Sequence, residues 1–352
     1  MEKHIVKNFN PTGGKHCITN SLKQVFDYHG YRLSEEMLFG LGAGLNFLYI
    51  NLKDAPMVNG RIKVFEFEEK LAQRLNIKIY CREPKAYGLA EQKAKVMINQ
   101  DHPVLIYADM AYLPYLQMNK DSHFGAHAIV LFGYDDCKQQ YYVSDRDTLL
   151  EPIQTPKGNM GSDYHLVSYA DMEKARSSHY RPFPTKHKYL DIDFNGFTYP
   201  SEEVLIEAIL ETCKAMLEPA TKMMGITGIK KFSQEIKKWH KFDKEKQIRS
   251  AITNYFQISK HGGTGGGIFR RMYGNFLKEA GNMYQRKDWL SIGEAYVELS
   301  VLWDTIADQL WDFSIEQDQS KLNKMSSLID EAYYKEEKIL QRLLKVTTGN
   351  VV

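Results

Sequence analysis

Cysteine is scarce in this 352-residue chain: Cys17, Cys81, Cys137 and Cys213 are the only four, and none stands in a CxxC pair. That scatter argues against a structural zinc site and against a disulfide framework, so a reducing, cytoplasmic setting and no bound metal are expected. No apolar run approaches the roughly 20 residues of a membrane span. The opening residues, MEKHIVKNFNP, carry no hydrophobic segment of the signal-peptide kind. Nor does one sign of charge dominate. Lys and Arg number 46 against 44 Asp and Glu, a net of +2, which gives nucleic acid or an anionic membrane no general electrostatic hold.

The residues that are present describe a globular protein: 43% are hydrophobic and 26% charged, enough to bury large cores. The length suggests two domains. Within the first, GGKHCITNSLKQVFDYHG (residues 13–30) organises the rest. Ile18, Leu22, Val25 and Phe26 fall on one stripe of a 3.6-residue helix, with Gly13 and Gly14 upstream and Gly30 just past its end. Cys17 then lies in the first helical turn, where unpaired N–H groups and the helix dipole favour thiolate over thiol. Two readings stand: a nucleophile awaiting a base, or a small residue buried at a helix start.

Residues up to about 170 alternate between helical and strand patterns. Ser34, Glu35 and Glu36 open a second helix, followed by the glycine-rich FGLGAGLNF of residues 39–47. Its spacing is not GxGxxG, which argues against a dinucleotide site and for a tight turn or a loop close to the active site. Short helices are expected at 65–75 and 91–99, and strands at 77–80 and 103–110. HAIVLFGY (127–134) and QYYVSD (140–145) flank a polar DDCKQ connection and read as a hairpin. Folded symmetrically about Asp136, it sets His127 opposite Asp145; slipped by two residues, it sets Asp147 there instead. A carboxylate beside the imidazole would orient it and stabilise its cation.

From about Tyr180 the texture changes. Residues 181–200, with Pro182 and Pro184, read as an extended linker containing a strand near Tyr189. Beyond it, helices are expected at about 201–217, 229–240, 243–258, 268–286, 288–313 and 320–345, which makes an all-α bundle. One loop interrupts them, SKHGGTGGGIFRRMYGNF (259–276). Its glycines, Gly265 and Gly266 among them, lead into a helix that carries Arg270 and Arg271. Donor groups at a helix start beside two guanidiniums suit a phosphate or carboxylate; the alternative is a flexible interhelical turn.

Three stretches, GKHCITNSLKQVFDYHGYRLSEEMLFGLGAGLNF, PVLIYADMAYLPY and HFGAHAIVLFGYDD with VSDRD, resemble the N-terminal domain of the butirosin biosynthesis protein H family. Residues 200–350 are similar to the uncharacterised helical domain that follows it. The resemblance implies an α+β, papain-like catalytic domain (1–180), a linker (181–200) and an all-α domain (201–352). It also implies an acyltransferase of natural-product biosynthesis, which passes an aminoacyl group from an acyl carrier protein thioester to an amine. By position, Cys17 would be the nucleophile, His127 the base and Asp145 the orienting acid. Papain-like enzymes place a glutamine before the cysteine, where this chain has NFNPTGGKH; Asn10 or the Cys17 backbone N–H would then serve as oxyanion donor.

The expected protein is therefore an amide-forming cysteine acyltransferase without a cofactor of its own. It would take an acyl thioester donor, such as a phosphopantetheine-linked one, and a small amine acceptor. Asp109 or Glu35 would bind a cationic acceptor, unless each is a cap or strand end. Gly265, Gly266, Arg270 and Arg271 would hold the anionic part of the donor, and an oligomer is compatible with all of this. The alternatives are a hydrolase, either amidase or peptidase, with the same machinery, and an inert binding or scaffold protein.

Overall fold

The computed structural model describes residues 2–349 except 120, 150, 151, 156 and 182, so the Pro182 of the expected linker lies outside the described residues. In chain order the elements begin with β1 (Lys3–Ile5), α1 (Cys17–Tyr28), α2 (Glu35–Leu41), β2 (Leu45–Asn51), β3 (Pro56–Arg61) and α3 (Glu66–Arg74). There follow β4 (Lys78–Arg82), α4 (Tyr87–Asn99), β5 (Val104–Ala108), β6 (His127–Asp135), β7 (Gln140–Ser144), β8 (Ile153–Thr155) and β9 (Gly158–Met160). Then come β10 (His165–Ser168), α5 (Tyr169–Ser177), β11 (Tyr189–Asp193), α6 (Glu202–Leu217) and α7 (Gly225–Ile236). The last are α8 (Lys244–Ile258), α9 (Arg270–Met283), α10 (Lys287–Glu316) and α11 (Ser320–Thr348). Among the described residues no helix is long and apolar enough to cross a membrane.

The chain is α+β and divides into two units, each discontinuous in sequence: Met1–Glu35 with Asn76–Phe197, and Glu36–Leu75 with Thr198–Val352. The first holds a seven-stranded antiparallel sheet in the order β10-β7-β6-β5-β11-β4, with β1 also paired to β6. All nine residues of β6 and all five of β5 are buried, as continuous apolar runs in a central strand should be. Ile129, Leu131 and Tyr134 join Val104, Ile106, Ile98 and Met172 in one core cluster. The apolar stripe of α1, with Ile18, Leu22, Val25 and Phe26 all buried, packs on β5 and β6. That packing carries Cys17 to the end of the sheet where β6 starts at His127.

Three expectations are corrected here. The hairpin is not symmetric about Asp136. Asp135 pairs with Gln140 across a four-residue turn, and an irregularity between Leu131 and Gly133 shifts the register until Val130 faces Ser144. Lys138 N–H donates to Asp135 Oδ1 and Gln139 takes a positive φ of 53°, which together fix this longer turn. Second, residues 181–200 are not a linker: β11 lies inside the sheet, paired with β5 and with β4. Third, the helical unit is not all-α. It includes α2, α3 and the β2/β3 hairpin from the first quarter of the chain.

In that second unit the early segment is held by polar side chains as well as by packing. Asn254 of α8 donates to Pro56 O (2.9 Å) and accepts from Val58 N (2.8 Å), acting as a partner strand would at the edge of β3. Lys70 and Arg74 of α3 both pair with Glu211 of α6. The glycine-rich stretch permits close aromatic packing. A Cβ on Gly40 would stand 2.2 Å from the Phe276 ring, and one on Gly42 2.2 Å from Phe67. Gly40 and Gly42 therefore belong to the packing of the second unit.

Candidate active site

Two features before α1 fix Cys17. Gly14 N–H donates to Arg146 O (2.8 Å), so the segment before the helix lies against the chain leaving β7. A Cβ on Gly13 would meet Thr148 Cγ2 at 2.4 Å, and one on Gly14 would meet Glu35 Oε1 at 2.3 Å. Both glycines serve close approach of the chain. Glu35 is buried and accepts from Lys15 N–H (2.8 Å), His16 N–H (3.1 Å) and Thr19 Oγ1 (2.7 Å). It therefore ties down the entry to α1 instead of offering a carboxylate to an acceptor amine.

Cys17, His127 and Asp145 come together, all buried. The thiol of Cys17 is hydrogen-bonded to His127. His127 Nε2 lies 2.7 Å from Asp145 Oδ2, which leaves Nδ1 as the nitrogen for the thiol. Burial alone would lower the His127 pKa, but the Asp145 charge and the hydrogen bonds to Asp145 and Cys17 outweigh it and push it up to about 10. Burial would raise the Asp145 carboxyl, yet His127 and the donors around it hold it down at about 2. The geometry favours an imidazolium set between the Cys17 sulfur and the Asp145 carboxylate. Such a chain supplies a nucleophile, a group that gives or takes a proton, and a fixed counter-charge.

Asp145 reaches His127 from just past the last paired residue of β7. In the observed register Asp147 would be the directly opposite residue and Asp145 the diagonal one, which remains within side-chain reach. Asp147 is instead held by His165 Nε2 (2.9 Å) and Ser162 N–H (3.0 Å). Asn20, one turn beyond Cys17, donates to Asp145 O (3.2 Å), and Gln24 accepts from Ser144 Oγ (2.7 Å). These two residues lock α1 to the end of β7.

The N-terminal domain of butirosin biosynthesis protein H matches residues 16–146, a span that holds Cys17, His127 and Asp145. A domain of unknown function (DUF4872) matches residues 170–343. The chain thus has the butirosin H-like two-domain organisation. No curated protein matches it.

The other residues expected at this site are placed elsewhere or already engaged. Asn10 lines a cavity of about 150 Å³ with Phe9, Gln24, Asp27 and Tyr28, toward the far end of α1 from Cys17. Asp109 is fully buried. It accepts from Ala111 N–H, Phe124 N–H, His123 and Ser178, so it caps the turn after β5 and has no side open to a cationic acceptor. Arg270 is also fully buried, paired with Glu336 and donating to Asn46 O (3.1 Å) and Ile268 O (2.8 Å). In the glycine loop, Gly267 N–H donates to Asp304 (2.7 Å), Gly266 N–H to Thr264 Oγ1 (3.2 Å), and Arg271 pairs with Asp304 (2.7 Å). The protein's own Asp304 thus fills the place foreseen for a donor phosphate. Gly263, Gly265, Gly266 and Gly267 all have positive φ, which is why the turn needs glycines.

Sequence reasoning missed Tyr115 and His165. The Tyr115 hydroxyl donates to Asp145 Oδ2 (2.8 Å), and the His165 ring stacks on that of Tyr115 with centroids 3.7 Å apart and planes 7° from parallel. Tyr115 lies 30 residues from Asp145 in a short turn, Pro114–Leu116, where no periodic pattern singles it out.

Proposed function

We propose that this protein is a cysteine-dependent acyltransferase of natural-product biosynthesis, with a papain-like first unit. The supporting observation is the hydrogen-bonded run Cys17–His127–Asp145, contributed by α1, the first residue of β6 and the end of β7, in the span that matches the butirosin H N-terminal domain. Helix-start cysteine, strand histidine and neighbouring carboxylate are the parts that a thiolate–imidazolium mechanism requires.

The Cys17 thiolate attacks the carbonyl carbon of an acyl thioester, with the Cys17 backbone N–H as the oxyanion donor. The C–S bond to the donor breaks, His127 gives its proton to the departing thiolate, and a Cys17 thioester remains. The donor is a carrier protein, or another thioester of the phosphopantetheine type. An amine acceptor then attacks the acyl-enzyme, His127 takes the amine proton, and the amide leaves with Cys17 restored as thiolate. Exchange of one thioester for another is close to thermoneutral, so the outcome rests on whether amine or water reaches the acyl-enzyme first. A bound amine can reach an effective molarity of about 10⁵ M or more. The setting read for it is the reducing cytoplasm, which keeps Cys17 as thiol or thiolate.

The test supplies an acyl thioester with and without a panel of small polyamines and aminosugars and follows products by mass spectrometry. Amide that grows with amine concentration supports transfer. Free acid released at an amine-independent rate makes the protein a hydrolase, and no turnover of either kind makes it an inert module.

A further inference from the structure

Asp145 Oδ2 is shared between two donors: His127 Nε2 at 2.7 Å and the Tyr115 hydroxyl at 2.8 Å. Its other oxygen accepts from Arg146 N–H at 2.7 Å. A carboxylate on a single Cβ–Cγ bond can swing, and only a fixed one keeps Oδ2 on the imidazole. Arg146 N–H restrains Oδ1 from the backbone, and Tyr115 restrains Oδ2 from across the site.

The phenol is itself restrained. Its turn is anchored by buried Leu113 and Leu116, and the preceding turn by the buried cap Asp109. One face of its ring is covered by His165, whose Nε2 is bonded to Asp147, itself bonded to Ser162 N–H. We propose that Tyr115, clamped by the stacked ring of His165, is a positioning residue that fixes the Asp145 carboxylate on His127, and that the ring of His165 serves this clamp and not the chemistry. Two His–Asp pairs are linked through Tyr115, and they do different work: His127 of one reacts and His165 of the other holds.

The groups facing this network are Cys17 from α1, His127 from β6, Asp145 and Asp147 beyond β7, Tyr115 from the Pro114–Leu116 turn and His165 from β10. Loss of the Tyr115 hydroxyl leaves the Coulomb partner of His127 in place but lets it turn away, so the imidazolium becomes easier to deprotonate.

The inference rests on reading Cys17 and His127 as the reacting pair, and its main readout, the titration of His127, is measurable in a protein that transfers nothing. His127 is followed by NMR in the full chain labelled at histidine, with Cys17 alkylation by iodoacetamide recorded against pH in parallel. Tyr115→Phe should lower the His127 midpoint by about one pH unit and cut acyl transfer on the order of tenfold in kcat, with KM within about twofold. His165→Ala should reproduce that shift, and His165→Phe, which can stack but cannot bond Asp147, should restore the wild-type midpoint. An unchanged midpoint in Tyr115→Phe overturns the positioning role. His165→Phe behaving like His165→Ala overturns the clamp, and this pair of variants decides the matter if Tyr115→Phe does not fold.

Discussion

Asp145 receives three donors on two oxygens, and that crowding sets the charge of the groups joined to it. The consequence for stability has a definite sign. His127 rises from its ordinary 6.5 to about 10 on folding, so its contribution is complete below pH 6.5 and fades as pH rises through 10. Asp145 falls from 3.8 to about 2, so its contribution is complete above 3.8 and fades as pH drops through 2. Between these limits lies a window, pH 3.8 to 6.5, in which the pair stabilises most. Thermal melts of wild type and Asp145→Asn should differ most in that window and converge toward pH 10; a gap that widens with rising pH would contradict the ion pair. Cysteines divide by the same physics. Burial pushes the Cys213 thiol up to about 12, so it should resist alkylation at pH 6, while Cys17, bonded to an imidazolium, should label there.

At the scale of elements, the helix α1 and the segment before it are a single device. Gly14 touches Asn20 and Glu35 closely enough that any Cβ must displace one of them. Gly14→Ala should therefore cost about 1–3 kcal/mol in chemical denaturation and move the entry to α1 away from Arg146. A variant as stable and as reactive at Cys17 as wild type would show that the close approach is dispensable. Much of this was legible in the sequence, because it is local: the stripe of α1, the apolar runs of β5 and β6 and the six long helices follow from periodicity alone. The hairpin register was not, since an irregularity at Leu131–Gly133 and a four-residue turn shift it without changing the polar-apolar pattern. Asp145 was the residue expected, yet it reaches His127 diagonally and not from the opposing position. Tyr115 and His165 were invisible because contacts between residues this far apart in sequence, 30 for Tyr115–Asp145 and 18 for His165–Asp147, leave no period to read. Arg270 and the glycine loop misled for another reason: a buried ion pair with Glu336, and a turn closed on Asp304, have the same composition as an anion site.

At the scale of the whole molecule, the two units interleave along the chain, and residues 36–75 belong with the helices. No composition shift marks that excursion; it emerges only when Asn254 is seen to hold β3, and Arg270 to hold Asn46 O. A fragment of residues 201–352 would leave those buried polar groups without partners and expose Phe276, over which Gly40 lies. It should lack a cooperative thermal transition by circular dichroism, whereas a chain that reconnects 36–75 to it should regain one. A sharp transition in the 201–352 fragment alone would contradict the division.

If Cys17 carries the acyl group between two partners, intact-protein mass spectrometry after rapid acid quench should catch it on the enzyme. Mixed with an acyl thioester, the wild type should gain the mass of one acyl group, located on Cys17 by peptide mapping. His127→Ala should slow its appearance by about 10²-fold or more, and added amine should discharge it as amide. Turnover of the thioester with no adduct on Cys17, or an unchanged rate in Cys17→Ala, would mean that the acyl group never passes through this cysteine.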